Sequence, residues 1–83
     1  MKNESELRDV ISENLPGRLY RTRIRLGLTQ DELAKRAGTT IVSISCYERG
    51  TRLPTSDILA GIALALNVSS DWLLGLSGDS IRR

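Results

Sequence analysis

Apolar residues along the chain recur every three or four positions, the spacing that places side chains on one face of an α-helix. The clearest run lies between residues 56 and 66, where the apolar stripe consists of Ile58, Leu59, Ile62, Ala63 and Leu66. Strands would show alternating apolar and polar residues with turn pairs between them, and this pattern is missing. The sequence therefore predicts an all-α protein, built as a compact five-helix bundle with short links.

Capping residues predict where these helices begin and end. Pro16 suits the first turn of a firm helix that runs to about Leu26, with Gly27 after its end. Thr29 and Glu32 form a capping box that begins the next helix. A third helix is predicted from Ile41 to about Arg49, with Thr40 as its N-cap. A fourth is predicted from about Ser56 to Leu66, capped by Thr55 or Ser56 and followed by Asn67. A last short helix is predicted after the N-cap Ser69 and extends through the sequence "DWLLG".

Two of the predicted helices form a helix-turn-helix. Only Gly38, Thr39 and Thr40 separate them, so the second helix crosses the first and keeps one face clear of the core. The arrangement needs a small residue in the first helix and an apolar anchor in the second, and Ala34 and Ile44 supply them. This motif belongs to a domain predicted over residues 15–76, between an N-terminal extension (1–14) and a C-terminal tail (77–83).

The flanking segments and the first firm helix give further expectations. Residues 5–13 could form a short helix, weakly anchored because it has few apolar positions. Leu15, Leu19 and Leu26 fall on one stripe of the helix that follows. Arg23 lies on the same stripe, and a charge buried there needs an acidic partner.

Composition argues against several functional classes of protein. The 83 residues are enough for one domain, and a content of 4% aromatic residues without any Phe predicts an aliphatic core. A single Cys cannot form an internal disulfide, which favours a reduced, cytoplasmic setting. Without His, no metal site is expected, and neither a cofactor nor a small-molecule ligand is predicted. The chain also lacks a signal peptide, a membrane-spanning run, paired catalytic carboxylates and a phosphate loop, so an enzyme is not expected.

Positive charge is concentrated in the middle of the chain. The formal net charge is +2, but residues 15–54 carry eight basic side chains against three acidic ones. A polyanion would bind there, although a solvated basic surface would have the same composition. Charge alone therefore does not separate the two interpretations.

Several short sequences between Leu15 and Gly75 occur in a specific order. They are Arg23 ahead of "GLTQDELA", then "GTT", "YERG", a Pro after a short basic loop, "IALALNVS" and "DWLLG". Together they strongly resemble the helix-turn-helix family of phage lambda-type repressors and Cro, which is also widespread among bacterial regulators. The resemblance implies a lambda repressor-like DNA-binding domain, encoded by a bacterium or a phage.

The resemblance also implies roles for individual positions. The second helix of the motif would enter the major groove of double-stranded DNA, with base-reading candidates at Thr40, Ile41, Val42, Ser45 and Cys46. Phosphate-contact candidates are Gln30 at the start of the first helix of the motif, and Ser43, Arg49, Thr51, Arg52 and Arg25. Arg23 and Glu48 match a buried structural ion pair.

The exposed flank of the second helix departs from the usual family pattern. Ile44 and Tyr47 are three positions apart and are predicted to face the core, which leaves Ile41 and Val42 on the other side. Family members often carry Gln, Arg or Asn there, because these side chains form bidentate bonds to base edges. Ile41 and Val42 could instead meet thymine methyl groups, pack against the neighbouring helix or be covered by a protein partner.

These observations predict a sequence-specific transcriptional regulator of the repressor type. Family members usually bind as dimers to two half-sites roughly 34 Å apart, so a homodimer on a two-fold operator is expected. Candidates for the dimer interface are Trp72, Leu73, Leu74, Leu76 and Ile81, although Trp72 could equally be a core anchor. The alternative function is a protein-interaction module of the same fold, such as an antitoxin or an accessory subunit.

Overall fold

Five α-helices make up most of residues 4–81, the part of the chain that the computed structural model describes. They are α1 (Glu4–Arg25), α2 (Gln30–Ala37), α3 (Ile41–Arg49), α4 (Ser56–Leu66) and α5 (Ser70–Leu74). Between residues 4 and 81 there is no β-strand, so the predicted all-α class is confirmed. None of the helices in this range combines the length and apolar character needed to cross a lipid bilayer.

Local capping chemistry sets the ends of α2 and α3. The Thr29 hydroxyl accepts a hydrogen bond from the Glu32 N–H at 3.0 Å, and the Glu32 carboxylate accepts one from the Thr29 N–H at 3.0 Å. This capping box was predicted and is confirmed. Gly38 ends α2 with φ 78° and ψ 32°, a left-handed conformation that glycine adopts without a steric penalty. The Thr40 hydroxyl then accepts from the Ser43 N–H and begins α3.

The first helix differs from its prediction. α1 is one continuous helix of 22 residues, with Pro16 inside it rather than in its first turn. A proline within a helix costs about 3 kcal/mol, because it lacks an N–H and crowds the preceding turn. Ile11, Leu15 and Leu19 are spaced by four residues and pack into or against the core, and this burial offsets that cost. Leu26 is 44% exposed, contrary to prediction, because α1 ends before it and the stripe ends too.

The core joins all five helices. Its fully buried large side chains are Leu15, Leu19, Leu33, Ile44, Ile62, Leu66 and Leu73. α2 packs against α4 so closely that a Cβ atom on Gly61 would lie 2.4 Å from the Ala37 carbonyl oxygen. α1 packs on the other elements through α3 and α5. The helix-turn-helix pair α2 and α3 is therefore supported by α4 on one helix and by α1 on the other.

Candidate nucleic-acid interface

α3 has one buried side and one exposed side. Ile44 is 0% exposed and Tyr47 is 3% exposed, so both face the core as the sequence predicted. Ile41 and Val42 are 46% and 63% exposed, and neither belongs to the core cluster. The flank that carries these two residues is therefore not covered by the chain's own helices.

The hydroxyl groups at the start of α3 bond to one another. Thr40 Oγ1 accepts from the Ser43 N–H at 3.1 Å and donates to Ser43 Oγ at 3.0 Å. Thr40 itself is exposed, but Ser43 is only 7% exposed. Ser43 therefore offers little surface to a base or a phosphate, because its position on the helix points it inward beside Ile44.

The C-terminal half of α3 presents a small polar cluster. The Arg49 side chain donates to the Ser45 carbonyl oxygen at 3.3 Å and to Cys46 Sγ at 3.5 Å. Thr51 Oγ1 donates to the Cys46 carbonyl oxygen at 3.2 Å. A hydrogen bond with the Thr51 side chain, and then the positive charges of Arg49 and Arg52, hold the pKa of the Cys46 thiol below its ordinary value. Ser45 and Cys46 are half-buried, which leaves both with partial access from outside.

The predicted partners Arg23 and Glu48 form a bidentate ion pair. Arg23 Nε donates to Glu48 Oε2 at 2.6 Å, and Arg23 Nη2 donates to Glu48 Oε1 at 2.9 Å. The side chains are 8% and 5% exposed, and the Glu48 hydrogen bond holds the pKa of Arg23 above its ordinary value. Arg23 Nη1 also donates to the Leu28 carbonyl oxygen at 2.8 Å. The pair thus ties α1, the link to α2 and the end of α3 together.

Gln30 extends this network to the surface, which sequence reasoning did not anticipate. Gln30 Nε2 donates to Glu48 Oε1 at 3.1 Å, so the carboxylate that neutralises Arg23 also orients the first side chain of α2. The N-terminus of a helix presents N–H groups without partners and a partial positive charge, which suits a phosphate oxygen. Gln30 and the start of α2 are therefore held in place against the end of α3.

The remaining phosphate-contact candidates are exposed. Arg49 and Arg52 are exposed beyond the buried core, and the Arg52 guanidinium lies 5.9 Å from the centre of the Tyr47 ring. Thr51 is exposed next to them, and Arg25 is exposed as the last residue of α1. Because Tyr47 is a core residue, its contact with Arg52 fixes a surface charge relative to the bundle.

The C-terminal candidates fall into two groups. Leu73 is 0% exposed and belongs to the chain's own core, so it cannot also face a second chain. Trp72 is half-buried, and Arg18 holds it by lying 4.9 Å from the ring centre and by donating to the Trp72 carbonyl oxygen. Leu74 is half-buried, whereas Leu76 is 53% exposed. Helix α5 has only five residues and buries the Leu73 side chain in the core. The exposed apolar side chain of Leu76 follows after the helix has ended.

A groove of about 620 Å³ lies between the end of α4, the start of α5 and the tail. Leu64 and Ile81 line it, and they are 60% and 66% exposed. All its lining residues come from position 60 or later, so it is formed without α3. Among residues 4–81, no cluster of His, Cys, Asp and Glu has the arrangement of a metal site.

Comparison with known proteins identifies the family. A model of the helix-turn-helix family matches residues 19–73, which include α2 to α4 and most of α5. The chain is 39% identical over 62 residues to the HTH-type transcriptional regulator ImmR of Bacillus subtilis, and the aligned region covers 75% of this chain and 49% of that protein. Over 58 residues it is 40% identical to the cryptic phage CTXphi transcriptional repressor RstR of Vibrio cholerae, covering 70% of this chain and 52% of that protein. The chain thus spans about half the length of these curated relatives.

Two solved structures have a similar fold. The P22 c2 repressor protein in complex with a synthetic operator superimposes with a TM-score of 0.74 at 31% identity, covering 77% of this chain and 97% of that one. A hypothetical transcription factor from Neisseria gives a TM-score of 0.67 at 28% identity, covering 87% of this chain and 76% of that one. With the family match over α2 and α3, these similarities show that the chain belongs to the lambda repressor-like helix-turn-helix family of transcriptional regulators, a class of DNA-binding proteins rather than of enzymes.

Proposed function

We propose that the protein is a sequence-specific transcriptional repressor that binds double-stranded DNA by placing α3 in the major groove. The observation that carries this proposal is the exposed flank of α3, with Val42 63% exposed on a helix whose opposite face is fixed in the core through Ile44. The major groove of B-DNA is wide enough to admit an α-helix. A helix anchored on one side only is in a position to enter it.

Polar and charged groups at both ends of the motif support this docking. The start of α2 offers N–H groups and Gln30 to one phosphate, while Arg49 and Arg52 are available beyond α3. Phosphate contacts of this kind fix the register of a protein on the duplex and do not read its sequence. The hydrogen bond from Gln30 to Glu48 sets the start of α2 and the end of α3 relative to each other, so that both contact sites can meet one duplex.

The similarity to the P22 c2 repressor supports the same function. That protein was solved in complex with an operator, and the present chain covers 97% of its structure at 31% identity. RstR, which is 40% identical over the matched region, is a phage transcriptional repressor. Bacterial and phage relatives also support a cytoplasmic protein of bacterial or phage origin.

We further propose that the protein binds a two-fold operator as a homodimer. One recognition helix contacts few base pairs, and dimers in this class of protein bind half-sites about 34 Å apart. The proposed contact surface lies in the C-terminal part, where Leu76 and Ile81 are 53% and 66% exposed beside the half-buried Leu74. Leu73 contributes to this surface only indirectly, by anchoring α5 in the core.

Selection of duplexes from a random-sequence pool, combined with sedimentation of the protein alone and with the selected duplex, tests the proposal. We expect a short two-fold sequence to be enriched and two chains to bind each duplex. Folded protein that enriches no duplex would refute the function, and one chain per duplex would refute the homodimer.

A pair of variants separates DNA reading from the alternative of a protein-interaction module. Ile41→Asn should change the selected sequence, because asparagine bonds to adenine in the major groove. Leu7→Asn, at an apolar position of α1 that is 39% exposed, is the matched control and should leave the selected sequence unchanged. An interaction module would instead lose its protein partner in Ile41→Asn and keep its nonspecific DNA affinity.

A further inference from the structure

Charge is unevenly distributed along α1. Every fourth residue between positions 9 and 25 belongs to a row in which two acidic residues come first, a glycine follows and two arginines come last. The row consists of Asp9, Glu13, Gly17, Arg21 and Arg25. Residues four apart are neighbours on a helix surface, so these five form one ridge along α1, which we call the acidic–basic row. Its four charged members are exposed, so the ridge is accessible from outside the chain.

The charges of this row repel one another within the chain. Asp9 and Glu13 are four residues apart, as are Arg21 and Arg25, and like charges at this spacing destabilise a helix. Within residues 4–81, none of these four side chains forms an ion pair. The molecule's own packing therefore supplies no counter-charge to either pair, whereas a partner outside the chain could do so.

Gly17, at the centre of the row, is not required by the fold of the single chain. Glycine lowers the stability of a helix interior relative to alanine, and Gly17 is not one of the glycines with positive φ in this structure. A Cβ atom at this position would meet only the guanidinium end of the flexible Arg21 side chain, 3.0 Å from Nη1. The absence of a side chain in the middle of an exposed helix face allows a second backbone to approach closely.

The bundle leaves this side of α1 open. Leu15 and Leu19 are 0% exposed and define the inward side of the helix. Tyr20 and Ile24, which lie beside the acidic–basic row, are 49% and 52% exposed. The row therefore has both charge and apolar surface, on a face that the other helices of the chain do not cover.

We propose that the acidic–basic row packs antiparallel against the same row of a second copy of the chain, with the two-fold axis at Gly17. Residues equally far from Gly17 on its two sides then face each other. Asp9 meets Arg25 of the second copy and Glu13 meets Arg21 of the second copy, and each pairing occurs twice. Ridges of every fourth residue pack together in the commonest class of helix crossing, at about −50°.

The same symmetry also pairs apolar groups, which favours a second copy over a different partner. Val10 and Ile24 are each seven residues from Gly17, so each meets the other residue type of the second copy. A partner that is only acidic would neutralise Arg21 but would repel Glu13, whereas an antiparallel second copy supplies the opposite charge to both.

This interface goes beyond the proposed function. Its acidic half precedes residues 19–73, the region that the family model matches. It is separate from the C-terminal contact surface and from the exposed flank of α3, so it would join two molecules that are each bound to DNA. Because it concerns only contacts between protein molecules, it can be tested without DNA.

Exchange of charges on α1 tests the pairing. Glu13→Arg and Arg21→Glu each place two like-charge pairs in the interface, so each variant alone should self-associate about tenfold or more weakly than the natural chain. An equimolar mixture of the two should associate more tightly than either alone, because each variant supplies the charge opposite to that of the other. Fluorescence energy transfer between differently labelled molecules, without DNA and at low salt, measures the association.

Two controls accompany these variants. Each exchange turns a like-charge pair within α1 into an attractive one, so both variants should fold, and circular dichroism checks this. Arg36→Glu makes the same change of charge as Arg21→Glu at an exposed position of α2, and it should leave self-association unchanged.

The outcomes separate this interface from the other contacts. Association through the C-terminal part would be equal in the mixture and in each variant alone, and that result would overturn the proposal. Unchanged association in every protein, together with a loss of affinity for duplex DNA in Arg21→Glu, would assign the row to DNA phosphates instead and also overturn it. Failure of the natural chain to select any duplex would refute the proposed function and leave the association result standing.

Discussion

Replacing Glu48 by alanine removes an acceptor that two side chains share. Glu48 receives two hydrogen bonds from Arg23, at 2.6 and 2.9 Å, and one from Gln30 at 3.1 Å. The Arg23 side chain is 8% exposed, so in Glu48→Ala its charge would remain buried without a counter-ion. Stranding one member of a buried ion pair costs about 3–5 kcal/mol.

A loss of this size is large for a small domain. Domains of this size are stable by roughly 5–15 kcal/mol, and each kcal/mol lowers Tm by about 4–8 °C. Urea unfolding followed by circular dichroism should therefore show a free energy of unfolding lower by about 3–5 kcal/mol, and thermal unfolding should show a Tm lower by roughly 12–40 °C.

Two further variants make this prediction specific. Lys35→Ala breaks an ion pair with Asp31 at 3.1 Å whose side chains are 77% and 54% exposed, and it should cost about 1 kcal/mol or less. The double variant Arg23→Met with Glu48→Leu replaces the buried pair by apolar side chains and should recover most of the lost stability. If Glu48→Ala costs no more than Lys35→Ala, the pair is not buried in solution as described and the reasoning is wrong.

Three other predictions follow from the structure. Gly61→Ala should destabilise the fold by about 1–3 kcal/mol in urea unfolding, because its Cβ would lie 2.4 Å from the Ala37 carbonyl oxygen. Hydrogen bonds from the Thr29 backbone and side chain hold the pKa of Glu32 below its ordinary value of 4.5. The stability that Glu32 contributes through the capping box is therefore complete above pH 4.5 and should be lost as the pH falls through the lower pKa of the folded protein. Unfolding curves recorded at a series of pH values check this. Arg49→Ala should weaken DNA binding at all sequences and reduce the salt slope by about one per chain, measured by titration at several salt concentrations.

Each of these predictions has a matched control. Gly78→Ala should leave stability nearly unchanged, since a Cβ there meets open space. Glu32→Gln keeps a side chain able to accept from the Thr29 N–H but cannot titrate, so its stability should fall less with pH than that of the natural chain. Arg21→Ala removes an exposed charge from α1 and should leave the salt slope unchanged. Equal effects in a variant and its control would contradict the corresponding explanation.

The structure shows which features local sequence can predict. The ends of α3 and α4 were predicted correctly because their start and stop depend on neighbouring residues, such as Thr40 and the left-handed Asn67. The start of α1 was not, since continuation through Pro16 depends on burial of Ile11 and Leu15 against other helices. Leu73 could not be assigned an inward position because five residues of helix are too few for periodicity to define a face.

The candidate nucleic-acid interface could likewise be predicted only where it depends on residue spacing within one helix. The inward face of α3 could be predicted because the spacing of Ile44 and Tyr47 defines it, whereas the sequence left open whether Val42 packs against the neighbouring helix, and the structure shows it 63% exposed. The hydrogen bond from Gln30 to Glu48 was not foreseen, because it forms only where α1, α2 and α3 meet. The charge of Arg23 on an apolar stripe predicted the need for an acidic partner, and the family resemblance pointed to Glu48, but nothing in the local sequence indicates the third partner, Gln30.

The central claim is that the exposed flank of α3 enters the major groove. Titration of isotope-labelled protein with the selected duplex, followed by amide chemical shifts, tests it most directly. The account predicts the largest changes at residues 40–46 and at Gln30, with Val42→Ala losing affinity and Leu7→Ala keeping it. Changes confined to the groove between α4 and the tail, with residues 40–46 unaffected, would contradict the account.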